Sequence, residues 1–443
     1  MSTNNFVLDI GVHKLYIIWV RFEVTAVKHF GKDALNAGLY FRTFCRWLML
    51  ATIIGVVCGL VGSAFHMAVA WVTTVRLGTP WLLYLLPVGG IAITALYKLT
   101  KTEGEGTNDI IDSIHEGSKV PILLVPVIFV ATALTHLFGG SAGREGAALQ
   151  IGGGIGYRIG KMQRLDDRDM RTVTLCGMSA VFAALFGTPL TATVFSLEVI
   201  SVGILHYSGF LPCLVASSVA YGISRLCGIE PMRFVIDMQY LDVPMLIRVC
   251  ILGVICAVVS IFFCVAMHKT EEYAHKLLKN SYLCALSGGV IIIALTLLTG
   301  TTVYNGIGTD TISACLAGDA APSFAFFWKI VFTAVTIGFG FKGGEIVPSF
   351  FIGAALGAAV APLIDMPSAF GAALGLTAVF CGAVNCPMAS ILLSVELFGS
   401  GELLYFALVC GISYMLSGYF GIYSSQKIMY SKTRAEFINR YAR

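Results

Sequence analysis

Charge is what this sequence lacks most. Only 12% of its 443 residues are Asp, Glu, Lys or Arg, about half the share found in a soluble domain. The 57% that are hydrophobic must therefore face something other than water. A basic patch interleaved with aromatics is also missing. The net charge of +4 comes from tails and one loop, so no nucleic-acid partner is expected. The 13 cysteines show neither CxxC nor Cys/His ligand spacing, so no metal and no cofactor is expected. Most of them, including Cys58, Cys176, Cys213, Cys264, Cys381 and Cys410, lie in apolar segments and read as small buried hydrophobes. The first twenty residues include Asp9, His13 and Lys14 and lack both a clean apolar core and a small-residue cleavage site. No cleaved signal peptide is expected.

What is present is a succession of apolar runs, with a mean hydropathy of +0.83. Runs at 46–74, 80–99, 120–138, 208–226, 244–268, 282–300 and 323–340 approach or reach spanning length. Shorter ones follow at 367–383, 387–398 and 402–420, and polar breaks fall at 101–119 and 301–322. The expected class is an all-α polytopic membrane protein. Residues 1–42, with Arg21, Lys28, Lys32 and Arg42, read as a cytoplasmic arm. The linker from Arg158 to Arg171, with Lys161, Arg164 and Arg168, belongs on the same side. By the excess of positive charge, both termini are expected in the cytoplasm.

An internal repeat organises the chain. MSAVFAALFGTPLTATVFSLE at 178–198 aligns without a gap on LTAVFCGAVNCPMASILLSVE at 376–396. Pro189 falls on Pro387 and Glu198 on Glu396. A small register shift also pairs GREGAALQIGGGIG with GEIVPSFFIGAALG. Broken helices at matching places in two repeats point to a transporter with its site between the halves. The expected layout is a first membrane repeat at 43–226, a second at 227–422, and a last pore-facing helix with a tail at 423–443.

The stretch GGSAGREGAALQIGGGIG at 139–156 sets Arg144 and Glu145 side by side among glycines and small apolar residues. A helix starting at Glu145 would present unpaired backbone N–H groups and the positive end of its dipole, which is an anion site made of backbone. A carboxylate at that spot would compete with the anion. The plainer reading is an acid that caps its own helix or pairs with Arg144. The run at 152–156 follows no strand of a βαβ unit, so it reads as close helix packing rather than a dinucleotide site.

These motifs resemble the CLC family of anion channels and anion/proton antiporters. GREG at 143–146 resembles its GREGP motif, and GGEIVP at 343–348 stands in place of GGxFxP. GEGTN at 104–108 stands in place of GSGIP, and Tyr423 in GIYSS falls where the pore tyrosine begins the last helix. The resemblance covers about 43–440 and implies a homodimer in a bacterial-type plasma membrane. It also implies two inverted-topology repeats with many short and broken helices, and a path lined by helix starts at Thr107, Glu145, Ile346 and Tyr423. The tail after Tyr423 is too short for the cytoplasmic CBS domains of some relatives.

By resemblance Glu145 is the protonatable gate, while Glu345 and Glu105 are further candidates for proton handling. The anion-binding set is Glu105, Gly106, Thr107, Gly143, Arg144, Gly146, Gly344, Ile346, Val347 and Tyr423. Arg144 is weighed chiefly as a structural residue. Glu345 is similar to the GGEV-type sequence of the fluoride-handling branch. Val199 stands where chloride/proton antiporters keep an internal glutamate, which argues against their mechanism. Glu198 and Glu396 read as structural acids near helix ends, and Lys342 as a carboxylate partner or vestibule cation. The favoured function is fluoride/proton antiport, with fluoride or chloride and protons as the transported species. The alternative is a chloride-selective channel or transporter, and the distant one an intramembrane enzyme with paired carboxylates. No enzyme is expected, because no nucleophile or metal set converges with these acids.

Overall fold

A bilayer offers backbone N–H and C=O groups no partners, so the apolar runs fold as helices. The computed structural model describes residues 4–237, 241–322 and 324–443, with side chains from residue 38 onward. Helix α1 spans Asn4–Gly78. Arg21, Lys28 and Lys32, on which the expected cytoplasmic arm rests, lie outside the described side chains. The chain divides into Met1–Leu50 and Ala51–Arg443, and the second unit holds everything described below.

Ten helices of the first half and its continuation run in order: α2 (Leu86–Leu99), α3 (Thr107–Glu116), α4 (Leu124–Leu137), α5 (Glu145–Met162), α6 (Asp167–Phe186), α7 (Pro189–Glu198), α8 (Phe210–Leu226), α9 (Val243–Leu277), α10 (Ser281–Thr299) and α11 (Thr309–Leu316). Then come α12 (Ala325–Gly338), α13 (Ile346–Val360), α14 (Ser368–Val384), α15 (Pro387–Phe398) and α16 (Leu403–Leu416). Among the described residues, seven helical stretches are long and apolar enough to cross a membrane. Helices α4, α12, α14, α15 and α16 are shorter than the roughly 20 residues a span needs. The fold is an all-α polytopic membrane fold with many broken helices. One of these, α11, lies inside the polar break at 301–322, where the sequence gives no apolar run.

The repeat is visible in backbone angles. Gly187 closes α6 at φ 71, ψ 28, and its counterpart Asn385 closes α14 at φ 58, ψ 35. The following residues agree even more closely, Thr188 at φ −122, ψ 75 and Cys386 at φ −121, ψ 74. A left-handed residue followed by proline stops one helix and starts the next. The Glu198 carboxylate then accepts from Met388 N (3.2 Å) and Ala389 N (2.9 Å), at the start of α15. Glu396 accepts from Leu190 N (3.0 Å) and Thr191 N (2.8 Å), at the start of α7. Each helix ends at the other's beginning, so α7 and α15 are antiparallel and each caps its twin. Both acids are structural, as the sequence reading has them.

Close approach of helices follows the same symmetry. A Cβ on Gly152 or Gly156 would strike the α6 backbone at Gly177 or Val173, and one on Gly353 or Gly357 would strike α14 at Gly375 or Gly371. Small residues at such crossings let the backbones touch. The core lies in the seam between halves, where Phe182, Phe195, Phe380, Phe350 and Phe186 form a chain of ring contacts 4.7–6.0 Å apart.

Two expectations need correction. No helix begins at Tyr423. Residues 423–443 instead carry β2 (Lys427–Tyr430) and β3 (Phe437–Tyr441), which join β1 (Ser201–Val202) in the order β1-β2-β3, parallel then antiparallel. Serines after Tyr423 are weak helix formers, and Ser425 is drawn to α3 through Asn108 Oδ1 (3.2 Å) and Asp112 Oδ2 (2.7 Å). Lys432 then anchors the hairpin by donating to Asn385 Oδ1 (2.5 Å), Tyr414 O (2.8 Å) and Ser417 Oγ (3.0 Å). The second correction is α9, which continues to Leu277, past the apolar run at 244–268. Its charged extension is braced by Glu272 with Lys269 (2.7 Å) and Lys276 (3.6 Å).

Reciprocal capping makes a testable asymmetry. Glu198 is 6% exposed, whereas the bonds of Glu396 reach into a half-exposed region. Glu198→Gln should lower stability by roughly 1.5–3 kcal/mol, the range for hydrogen bonds to a charged group, and Glu396→Gln by less. Thermal unfolding of the two variants in detergent reads the difference.

Candidate functional site

The site is built where two glycine loops cross. Gly143 N donates to Gly344 O (2.6 Å) and Gly344 N to Gly143 O (2.8 Å). This short antiparallel bridge brings the starts of α5 and α13 together. A Cβ on Gly344 would strike the backbone N of Gly146 and lie 2.8 Å from that of Glu145, and one on Gly146 would lie 2.8 Å from Gly343 O. Glycine is required here by contact, since any side chain would push the two helix starts apart.

Glu145 fills the space this crossing creates. It is fully buried, and its Oε2 accepts from Arg144 N (3.0 Å) and from Val347 N (3.3 Å). One donor belongs to the start of α5 and the other to the start of α13. The carboxylate thus sits in a seat of backbone N–H groups at the positive ends of two helix dipoles. Its other oxygen has no partner among the described residues. Gly143 and Gly344 border the carboxylate, since a Cβ on either would crowd Glu145 Oε2, and none of Gly143, Gly146, Gly344 and Ile346 donates to it among the described bonds.

Arg144 contributes through its backbone. Its side chain is 8% exposed, and its guanidinium makes no hydrogen bond or ion pair among the described residues, with Nε unpartnered. Of the structural role expected for it, pairing with a nearby acid or with backbone carbonyls, no hydrogen bond of either kind is present among the described residues.

A cavity of about 380 Å³ lies on one side of the crossing. Glu345, Glu105, Gly106, Thr107 and Tyr423 line it, joined by Lys342. The structure thus gathers five of the sequence candidates at the cavity and leaves the others at the crossing behind it. Tyr423 is 2% exposed, and its hydroxyl has no partner. Glu345 stands directly before α13, with Oε2 buried and unpartnered. Lys342 holds its ammonium 4.8 Å from the ring centroid of Tyr97.

The start of α3 is arranged differently from expectation. Gly106 N donates to Asp109 Oδ2 (2.7 Å), so that N–H is already satisfied. Thr107 Oγ1 donates to Gly146 O (3.3 Å) and accepts from Gln150 Nε2 (3.1 Å), tying α3 to α5. Glu105 lies in the loop before α3. Burial, followed by repulsion from Asp109, raises its carboxyl above the ordinary range and favours the protonated form.

Gln150, Glu271 and His268, which no sequence motif marks as functional, line the same cavity. Gln150 carried a weak signal, as the lone amide in the first turns of a glycine-rich helix. Glu271 and His268 lie at and beyond the end of an apolar run and carried none.

A family model described as voltage gated chloride channel matches residues 88–418. The chain belongs to this family. It is 36% identical over 396 residues to a chloride/fluoride channel protein of Pseudomonas syringae pv. tomato, covering 87% of each chain. It is 26% identical to an H(+)/Cl(-) exchange transporter of Vibrio campbellii, over 85% of this chain and 88% of that one. Among solved structures, the crystal structure of a CLC-type fluoride/proton antiporter superposes with a TM-score of 0.83 and 33% identity, covering 86% of this chain and 98% of that one. The family consists of channels and exchangers, and this member is not an enzyme.

The crossing predicts two opposite glycine effects. Gly344→Ala should destabilise by about 1–3 kcal/mol, as overpacking does. Gly411, in α16, has open space at its Cβ position, so Gly411→Ala should be neutral or stabilising by up to about 1 kcal/mol. Unfolding midpoints of both variants in the same detergent check the pair.

Proposed function

We propose that this protein moves a small halide across the membrane in exchange for protons, with fluoride as its substrate. The observation that carries the reading is the Glu145 carboxylate bonded to Arg144 N and Val347 N. An ionised carboxylate and a halide compete for the same two donors. Protonation weakens the carboxyl as an acceptor, so the side chain leaves and the halide takes its place. Proton and anion then exchange at one seat, which is how coupling arises without a second moving part. Backbone donors at helix starts suit this role, since they substitute for hydration without the full charge that would hold an anion too tightly.

Glu345 and Glu105 serve as further protonatable groups beside the path. A protonated carboxyl is an O–H donor, and fluoride, the strongest acceptor among halides, gains most from it. The 36% identity to a chloride/fluoride channel protein and the 33% identity to a fluoride/proton antiporter support this choice. Val199 carries no proton where the chloride/proton exchangers of the resemblance keep a glutamate. The protein works as a homodimer in a bacterial-type plasma membrane, and the basic linker between α5 and α6 and both termini face the cytoplasm.

Fluoride and chloride efflux from proteoliposomes, with a proton gradient imposed, tests this. Fluoride should leave faster than chloride and move uphill against an inward proton gradient. Flux should rise as pH falls, because protonation vacates the seat. Glu145→Gln should give fluoride flux that no longer responds to pH and a reversal potential set by fluoride alone. Glu345→Gln should slow proton movement more than fluoride movement. Unaltered pH-dependent flux in Glu145→Gln would remove this residue from the gate.

A further inference from the structure

The cavity at Glu345 holds more acid than a bare anion tolerates. Glu103, Glu105, Asp109 and Glu271 line it together with Glu345, against a single lysine, Lys342. His268 and His275 also face it, and His268 is held by Gly421 O at 2.7 Å from Nε2. Two of the acids have partners of their own. Asp109 caps Gly106 N, and Glu103 accepts from Ser281 Oγ (2.9 Å) and lies 3.7 Å from Lys98 Nζ. Glu271 makes no hydrogen bond or ion pair among the described residues, although its neighbour Glu272 is clamped by Lys269 and Lys276. Glu271 is also exposed.

The fold goes to some length to place it there. Glu271 lies on the extension of α9 beyond its apolar run, against the last residue of α12. At that point a Cβ on Gly338 would sit 2.9 Å from Glu271 N. From this position it shares one cavity wall with Glu345 and Lys342. Inside the cavity, Tyr423 Oη and Glu345 Oε2 are buried without partners among the described residues, two polar groups that cavity water could satisfy. The place where an internal glutamate would stand is closed instead. Val199 is fully buried and its carbonyl accepts from Gln426 Nε2 (3.0 Å), while Lys427 N donates to Ile200 O (3.2 Å).

We infer that Glu271 is a proton-relay residue at the mouth of the cavity, delivering protons to Glu345. A hydrated proton from bulk water bonds to the Glu271 carboxylate. The resulting acid passes that proton through cavity water to the Glu345 carboxylate and returns to its ionised form. The relay rests on the reading of Glu345 as a proton site in anion/proton exchange, and it supplies the water-facing proton group that Val199 cannot.

The test is coupled fluoride and proton flux through full-length protein in liposomes. At about pH 8, where protons are scarce, Glu271→Gln should turn over about tenfold more slowly, the low end of electrostatic focusing in a charged cleft. At about pH 5 it should approach the wild-type rate, and its reversal potential should stay unchanged at both. Glu271→Asp should retain most of the rate, and Glu272→Gln should match wild type throughout. A Glu271→Gln protein as fast as wild type at high pH overturns the inference, as does a loss that acid does not restore. If the wild-type protein itself moves fluoride without protons, the exchange reading fails first and the relay falls with it.

Discussion

Two backbone hydrogen bonds between Gly143 and Gly344 hold the functional centre together. They force the starts of α5 and α13 to within contact of each other, and that contact turns two ordinary helix ends into one seat for the Glu145 carboxylate. Neither helix alone would suffice, since a single N-terminus offers donors on one side only. The cost is that no side chain can be carried on either loop at the crossing. Glu145 then enters a place already built to hold negative charge, and the burial of a carboxylate becomes tolerable because two N–H groups and two dipoles face it.

The rest of the fold serves to keep those two ends in register. The glycine crossings of α5 with α6 and of α13 with α14 repeat the same close packing in both halves. Glu198 and Glu396 cap each other's helices across the seam, so displacement of one half strains the other at two places. The phenylalanines between them fill the seam with rigid rings. An inverted pair locked this way can let a single side chain move without moving its frame, and a protonatable gate needs that kind of frame.

The acid around the cavity reverses what an anion path is expected to show. Lys342 is outnumbered, and Glu345 keeps one buried oxygen without a partner among the described residues. Such a lining repels a halide while the acids are ionised and donates hydrogen bonds to it once they are protonated. In the proposed exchange, proton and anion occupancy would thereby be linked by electrostatics before any conformational change. The C-terminal hairpin contributes by sealing the region near Val199, which leaves the cavity mouth as the water-facing side of Glu345.

Much of this was legible in the residues themselves. Membrane class follows from the scarcity of charge, and the repeat from a match of 178–198 with 376–396. The helix start at Glu145 follows from the glycines ahead of it. Those are local or periodic signals, set by hydrophobic burial and backbone freedom over a few residues. Tertiary structure decided what depends on distant partners. The segment after Tyr423 becomes a hairpin because α3, α14 and α16 supply its hydrogen bonds. The α9 extension survives its charges because Glu272 is braced, and this places Glu271 beside the distant loop that carries Lys342 and Glu345. Arg144 and Glu145 show the division most plainly. Their adjacency is written in the sequence, but only the crossing of two loops turns the backbone of one and the carboxylate of the other into parts of the same seat.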